Sequence, residues 1–191
     1  INDLQNLLSD AKIKSEIYSN ISPNPRDDEI DGGCKVFKEG NHDAIIAIGG
    51  GSAMDGGKAI SLTVNSGIPL WDFEFLDKVP RDLKGTNPFP KLITAMVTDT
   101  KKGMKFCLWH PEARPCLALV DPELTLKLPT NLTAWTGIDA MIHAIEGYSV
   151  PLFHPLCDGS ALESLNLISK SLYLAVEEPD NLVARGGMIV G

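Results

Sequence analysis

The chain has 191 residues, of which 43% are hydrophobic and 22% charged, and its formal net charge is −8. That length suits one large domain, or one domain and part of a second, and is enough to bury a sizeable core. So acidic a chain repels phosphate backbones and anionic bilayers, which argues against nucleic acid and membrane surfaces as partners.

No apolar run approaches the roughly 20 residues that a membrane helix needs. The opening Ile1-Asn2-Asp3-Leu4-Gln5 lacks the charged-then-apolar plan of a signal peptide. Cys34, Cys107, Cys116 and Cys157 are scattered without a C-x-x-C pair. They read as small buried hydrophobes of a cytoplasmic protein, not as zinc ligands or disulfides.

Taken in chain order, residues 2–17 carry Leu4, Leu7, Leu8, Ala11 and Ile17 near helical spacing and predict an amphipathic helix. Ser22-Pro23-Asn24-Pro25 cannot be helix interior and reads as a loop. Residues 27–39 read as a second helix ended by Gly40. Ala44-Ile45-Ile46-Ala47-Ile48 is a continuous, β-branched run, the pattern of a strand buried on both faces of a parallel sheet. A glycine loop and a helix to about Thr63 follow, giving the core of a βαβ unit.

Residues 68–90, rich in proline and aromatics, read as a surface excursion. Leu92-Ile93-Thr94-Ala95 starts like another strand, residues 96–106 like a hairpin turning at Lys101-Lys102-Gly103, and residues 117–120 like a further short strand. After Pro129 helical spacing takes over; Leu162, Leu165, Ile168, Leu172 and Val176 form one apolar face. The expected architecture is an α/β dinucleotide-binding domain over residues 1–128, Rossmann-like with a parallel sheet, followed at 129–191 by the start of an all-helical domain.

Two constellations carry chemistry. Gly49-Gly50-Gly51-Ser52 lies between a buried strand and a helix start. Glycines permit positive φ and close approach of a ligand. The unpaired N–H groups at the helix start carry partial positive charge and suit a pyrophosphate. Ser52 can donate a hydroxyl or cap the helix, and Asp55 and Lys58 lie one turn apart on it. A plain tight turn is the competing reading, but three consecutive glycines cost too much chain entropy for that role. For Asp55 and Lys58 the competing reading is a partly exposed ion pair. The pattern is neither G-x-G-x-x-G nor a Walker loop.

Asp139 and His143, at i and i+4, share a helix face among apolar neighbours, so that face is expected to be buried. A carboxylate and an imidazole side by side suit a divalent metal; the spacing fits equally a buried His bonded to Asp. A metal site needs a third ligand, and no second pair is visible. His42 reads as a surface residue. His110 and His154 each precede a proline in a loop, and Glu146 reads as pairing with backbone or a cation.

Together these residues resemble the iron-containing (group III) alcohol dehydrogenase family over nearly the whole chain. Ser22-Pro23-Asn24-Pro25 is similar to its V-x-P-N-P segment, and residues 45–60 to its I-A-I-G-G-G-S-x-x-D-x-x-K signature. Ala118-Leu119-Val120-Asp121-Pro122-Glu123-Leu124-Thr125 also matches. Residues 136–148 are similar to T-G-x-D-A-x-x-H-A-x-E, which is highly specific. The resemblance implies an active site in the cleft between cofactor and helical domains. It implies that Asp139 and His143 bind Fe2+, with Zn2+ as the alternative, alongside two histidines on later helices. It implies NAD as cofactor, NADP as the alternative, a small alcohol or aldehyde substrate, and homo-oligomers as a common state. On this reading Gly49, Gly50, Gly51, Ser52, Asp55 and Lys58 bind the cofactor, and Asp139 and His143 are catalytic through the metal.

The sequence departs from that pattern in three places. It begins after the family's first strand and its ribose-reading acidic residue. Ala95 runs into Met96-Val97-Thr98-Asp99 without a Thr-Thr-x-Gly-Thr-Gly-Ser segment, and the chain stops before the further histidines. The expectation drawn is that ordered parts of a longer protein have been run together, with a break between Ala95 and Met96; a shortened product is the alternative. Two other functions compete: a dehydroquinate-synthase-like lyase, disfavoured by the A-x-x-H-A-x-E context of His143, and a non-catalytic nucleotide-binding fragment.

Overall fold

The computed structural model describes residues 2–74, 94–110, 119–151 and 153–191. The chain divides into two compact units, residues 1–118 and 119–191. The first is α/β and the second helical, as the change of texture implies.

The first unit opens with α1 (Asn2–Asp10). The helix expected to reach residue 17 stops here, because Lys12 turns left-handed at φ 61° and the Ile13 amide closes back on the Leu8 carbonyl at 2.8 Å. Residues 13–21 then run without helix or ladder. After the proline loop, α2 (Asp27–Glu39) occupies the expected span. The Glu29 carboxylate accepts from the Arg26 amide at 3.0 Å and the Ser22 amide at 3.2 Å, tying the loop to the first turn of α2. Burial would raise the Glu29 pKa, but the Arg26 and Ser22 hydrogen bonds outweigh it and hold the carboxyl below its ordinary value.

Residues 44–48, expected as a buried strand, join no ladder among the described residues, and Ile46 is 61% exposed. α3 (Gly51–Thr63) follows the glycine loop as expected. It packs closely on α2, since a Cβ at Gly33 would strike Ile60. The expected excursion from residue 68 opens with a single 3₁₀ turn (Leu70–Phe73) that buries Phe73 completely; beyond residue 74 it lies outside the described residues.

The hairpin expected near Lys101-Lys102-Gly103 is present as β1 (Thr94–Asp99) and β2 (Met104–Trp109). The Asp99 carboxylate accepts from the Lys101 and Lys102 amides at 2.9 Å each, and Gly103 takes φ +64°. Ala95, Val97 and Asp99 alternate inward, so one face of β1 meets the core with Leu108 of β2. β1 runs unbroken through Ala95 and Met96, which pair with Leu108 and Cys107. Ile30, Phe37, Ile60, Phe73, Val97 and Leu108 form the centre of the core.

The strand expected at 117–120 falls partly outside the described residues; Leu119 and Val120 are exposed and form no ladder. The second unit continues with a 3₁₀ turn (Pro122–Thr125) capped by Asp121, then α4 (Thr130–Ser149), α5 (Pro155–Glu177) and α6 (Leu182–Val190). The three helices pack through small residues. A Cβ at Gly137 of α4 would strike Leu172 of α5, and one at Gly187 of α6 would strike Ser171. Ile168 and Ala175 are fully buried between them. Arg185, 2% exposed, donates to Thr133 Oγ1 at 2.9 Å and to the Pro179 carbonyl at 2.9 Å, fixing α6 to α4.

Candidate functional site

The glycine loop and the Asp–His pair lie in different units, and each is built locally. Gly49 takes φ +141°, a region that disfavours side chains, and a Cβ there would meet Ala53 at 2.8 Å. Gly50 is the N-cap of α3 with φ −73° and has no side-chain cap. The first amide of the helix with a protein acceptor is Met54, which bonds the Gly50 carbonyl at 3.2 Å. The amides of Gly51, Ser52 and Ala53 bond to no other described residue. A Cβ built on Gly50 or Gly51 meets nothing within 4 Å. The helix thus presents three uncommitted N–H groups and its positive end beneath open space, which suits an anion.

Ser52 does not cap α3. Its Oγ accepts from the Asn24 amide at 3.2 Å, so the proline loop is tied to the glycine loop. Asn24 itself sits at φ +62°, and Thr98 of β1 holds both neighbours, its amide on the Pro25 carbonyl at 2.7 Å and its hydroxyl on the Asn24 carbonyl at 3.4 Å. One turn along α3, Lys58 Nζ donates to Asp55 Oδ1 at 3.1 Å, with side chains only 10% and 20% exposed. The pair is more deeply buried than the partly exposed alternative foresaw. Burial, and then the Asp55 charge, push the Cys107 thiol of β2 up in pKa.

In the second unit Asp139 and His143 are on α4 as expected, with Oδ2 and Nε2 3.8 Å apart. The expected burial of this face is not found. Their side chains are 74% and 73% exposed, and Trp135, Ile138, Ile142, Ile145 and Tyr148 on the same helix are also exposed. Apolar neighbours implied a cover that α5 and α6 do not supply, since they pack on Thr133, Gly137 and Ala144. Glu146, expected to pair with backbone or a cation, lies with Oε2 3.8 Å from His143 Nδ1. Among the described residues no group of three or more His, Cys, Asp or Glu side chains is placed to hold a metal. The donor set is therefore half a site: one carboxylate and one imidazole on adjacent turns, a chemistry that Fe2+ or Zn2+ accepts, and short of the usual three protein ligands.

The other histidines depart from their expected settings. His42 is mostly covered, stacking near Phe37 with ring centroids 6.2 Å apart and reaching Glu16 at 3.5 Å. His110 is 2% exposed with its ring edge-on to Phe73 at 5.9 Å. His154 Nδ1 accepts from the Cys157 amide at 3.3 Å and caps α5. Cys157 is exposed, against expectation, while Cys34 and Cys107 are partly covered; these three are free thiols. Cys116 lies outside the described residues. No described helix is long and apolar enough to cross a membrane.

Comparison with known proteins covers both units. Residues 1–122 match the family model described as iron-containing alcohol dehydrogenase, and residues 133–191 match that of the Fe-containing alcohol dehydrogenase family C-terminal region. The chain is 33% identical over 190 residues to the NAD-dependent methanol dehydrogenase of Bacillus methanolicus, covering 95% of this chain and 50% of that protein. It is 31% identical over 195 residues to the 1,3-propanediol dehydrogenase of Citrobacter freundii, covering 95% of this chain and 49% of that protein. Among solved structures, the sulfoacetaldehyde reductase of Bifidobacterium kashiwanohense in complex with NAD+ matches with a TM-score of 0.85 at 30% identity, over 98% of this chain and 53% of that one. The chain spans about half the length of the curated relatives it matches.

Proposed function

Because the chain belongs to the iron-containing alcohol dehydrogenase family, we propose that it serves reversible hydride transfer between a small primary or secondary alcohol and NAD. NADP is the alternative cofactor, since one relative is named an NADPH-dependent butanol dehydrogenase. The observation that carries the reading is the start of α3: three unbonded amides beneath open space, in a chain of this family. The domain division follows the same lines, a dinucleotide-binding part to about residue 128 and a metal-binding helical part after it.

In this reading the Gly51, Ser52 and Ala53 amides bind pyrophosphate oxygens at the positive end of α3. The Asn24 amide occupies a lone pair of Ser52 Oγ, which leaves the hydroxyl proton to donate to the same oxygens. The Asp55–Lys58 pair stiffens the two turns that carry the loop. Asp139 and His143 would hold a divalent ion, Fe2+ with Zn2+ as the alternative, completed by other donors. When bound, that ion supplies Lewis acidity at an alcohol oxygen. No side chain described here is assigned as a general base.

Titration of NADH into the purified chain tests the loop. A saturable change in nicotinamide fluorescence, abolished by Gly50→Val with helicity unchanged, is expected. Equal binding by the variant would remove the loop from the site.

A further inference from the structure

α4 carries no Lys or Arg, and its ionisable side chains are Asp139, His143, Glu146 and Tyr148. Glu146 therefore finds no permanent cation on its own helix. Ser149, one turn further on, gives its hydroxyl to the Ile145 carbonyl at 2.7 Å. The polar side chain left within reach at helical spacing is His143, one turn back, with Nδ1 3.8 Å from Glu146 Oε2. The packing of α4 does not call for a carboxylate here. Its buried positions are Thr133, Gly137 and Ala144, whereas the Glu146 side chain is 69% exposed. An ion pair so exposed adds little to stability.

The two nitrogens of His143 face opposite ways along the helix. Nε2 lies 3.8 Å from Asp139 Oδ2, one turn toward the N-terminus, and Nδ1 lies 3.8 Å from Glu146 Oε2, one turn toward the C-terminus. Both separations exceed a hydrogen bond, so neither nitrogen is committed. An ion shared by Asp139 and His143 takes the nitrogen on the Asp139 side, which is Nε2. Nδ1 then carries the ring proton, since a neutral imidazole has one donor and one acceptor. That proton faces the Glu146 carboxylate. Glu146 is not itself placed to join the ion. Seven residues from Asp139, it stands about 10.5 Å further along the helix axis. Among the described residues no three His, Cys, Asp or Glu side chains converge.

We propose that Glu146 is a positioning residue: it accepts the His143 Nδ1 proton, which fixes the ring tautomer and aims Nε2 at the ion. The proposal rests on the reading of Asp139 and His143 as metal ligands. Both side chains are exposed, so a rotamer adjustment closes 3.8 Å to hydrogen-bond length once an ion holds the ring. A ligating histidine whose second nitrogen has such a partner binds more tightly, because the ring is held in the binding tautomer and orientation.

The test uses the protein as the cell makes it, stripped of metal and titrated with Zn2+ against a chelator, beside Glu146→Ala, Glu146→Gln and His143→Ala. Glu146→Ala should bind Zn2+ about 10- to 100-fold more weakly, with the Tm of the metal-free protein unchanged. Glu146→Gln keeps an acceptor for the same proton and should recover most of that loss. Nitrogen NMR of the Zn2+-loaded protein should show His143 bound through Nε2 with Nδ1 protonated. Four results overturn the proposal: Glu146→Ala binding Zn2+ as tightly as the unsubstituted protein, no recovery in Glu146→Gln, Nδ1 as the bound nitrogen, or a loss in Glu146→Ala as complete as in His143→Ala, which would make Glu146 a ligand. Zn2+ affinity that survives His143→Ala would remove the ligand reading itself, and the proposal with it.

Discussion

The Asn24 amide donates to Ser52 Oγ at 3.2 Å, and this bond joins the proline loop to the glycine loop. Thr98 of β1 grips the same proline loop from the other side through the Asn24 and Pro25 carbonyls. The position of the anion-binding turn is thus set by β1 and not by the loop alone. Replacing Ser52 by Ala removes both the acceptor for Asn24 and the hydroxyl donor. The expected loss is about 1–2 kcal/mol of dinucleotide affinity, roughly 5- to 30-fold in Kd, with little change in Tm. Calorimetric titration with NADH measures it, and an unchanged Kd would show that Ser52 is only a turn residue.

Gly50 and Gly51 should behave differently from Gly49. A Cβ at Gly50 or Gly51 meets open space, whereas Gly49 has φ +141° and Ala53 in the way. Gly51→Ala should leave stability unchanged or raise it by up to about 1 kcal/mol, with Tm following, because it reduces the freedom of the unfolded chain, while weakening NADH binding. Gly49→Ala should lower both. Thermal melts beside binding titrations separate the two cases; a Tm loss for Gly51→Ala as large as that for Gly49→Ala would contradict the open cradle.

The Asp55–Lys58 pair is a second structural dependence of the loop. Lys58→Met leaves the largely buried Asp55 carboxylate without its cation and should cost about 2–4 kcal/mol of stability. The double change Asp55→Asn with Lys58→Met should recover part of that loss, because no unpaired charge remains. Chemical denaturation of the single and double variants checks the coupling.

Much of this was legible beforehand, for identifiable reasons. α2 and α3 were readable because Gly40 and the glycine triplet punctuate them, and the β1–β2 turn because Gly103 follows two lysines at a place needing positive φ. The end of α1 was not, because Lys12 adopts the left-handed conformation without being glycine or asparagine. The exposure of Asp139 and His143 is not legible in the sequence, because Ile138, Ile142 and Ile145 signal a partner surface without stating which element provides it. The Asn24–Ser52 bond left no local trace, being a backbone donor 28 residues away. The burial of His110 against Phe73 is likewise a tertiary contact with no signature in spacing.

Stability should fall in acid through two carboxylates of the first unit. Hydrogen bonds hold Asp99 below its ordinary 3.8, led by the Lys102 amide. Glu29 lies below its ordinary 4.5, its Arg26 and Ser22 bonds outweighing burial. A folded-state value below the unfolded one adds stability that is complete above the unfolded value and is lost as pH falls through the folded one. Denaturation midpoints should therefore be flat near neutrality and drop below about pH 4.5. Glu29→Gln should have a lower midpoint at pH 7 and a shallower acid slope. An acid slope identical to that of the unsubstituted chain would mean that Glu29 carries none of it.

The most direct test is alcohol-dependent NADH formation by the protein as the cell makes it, supplied with Fe2+, beside Asp139→Ala and His143→Ala. A bound ion supplies several kcal/mol of charge stabilisation, so each variant should lose about a thousandfold or more in kcat/KM and lose bound metal in parallel. Turnover and metal content that survive both substitutions would contradict the account.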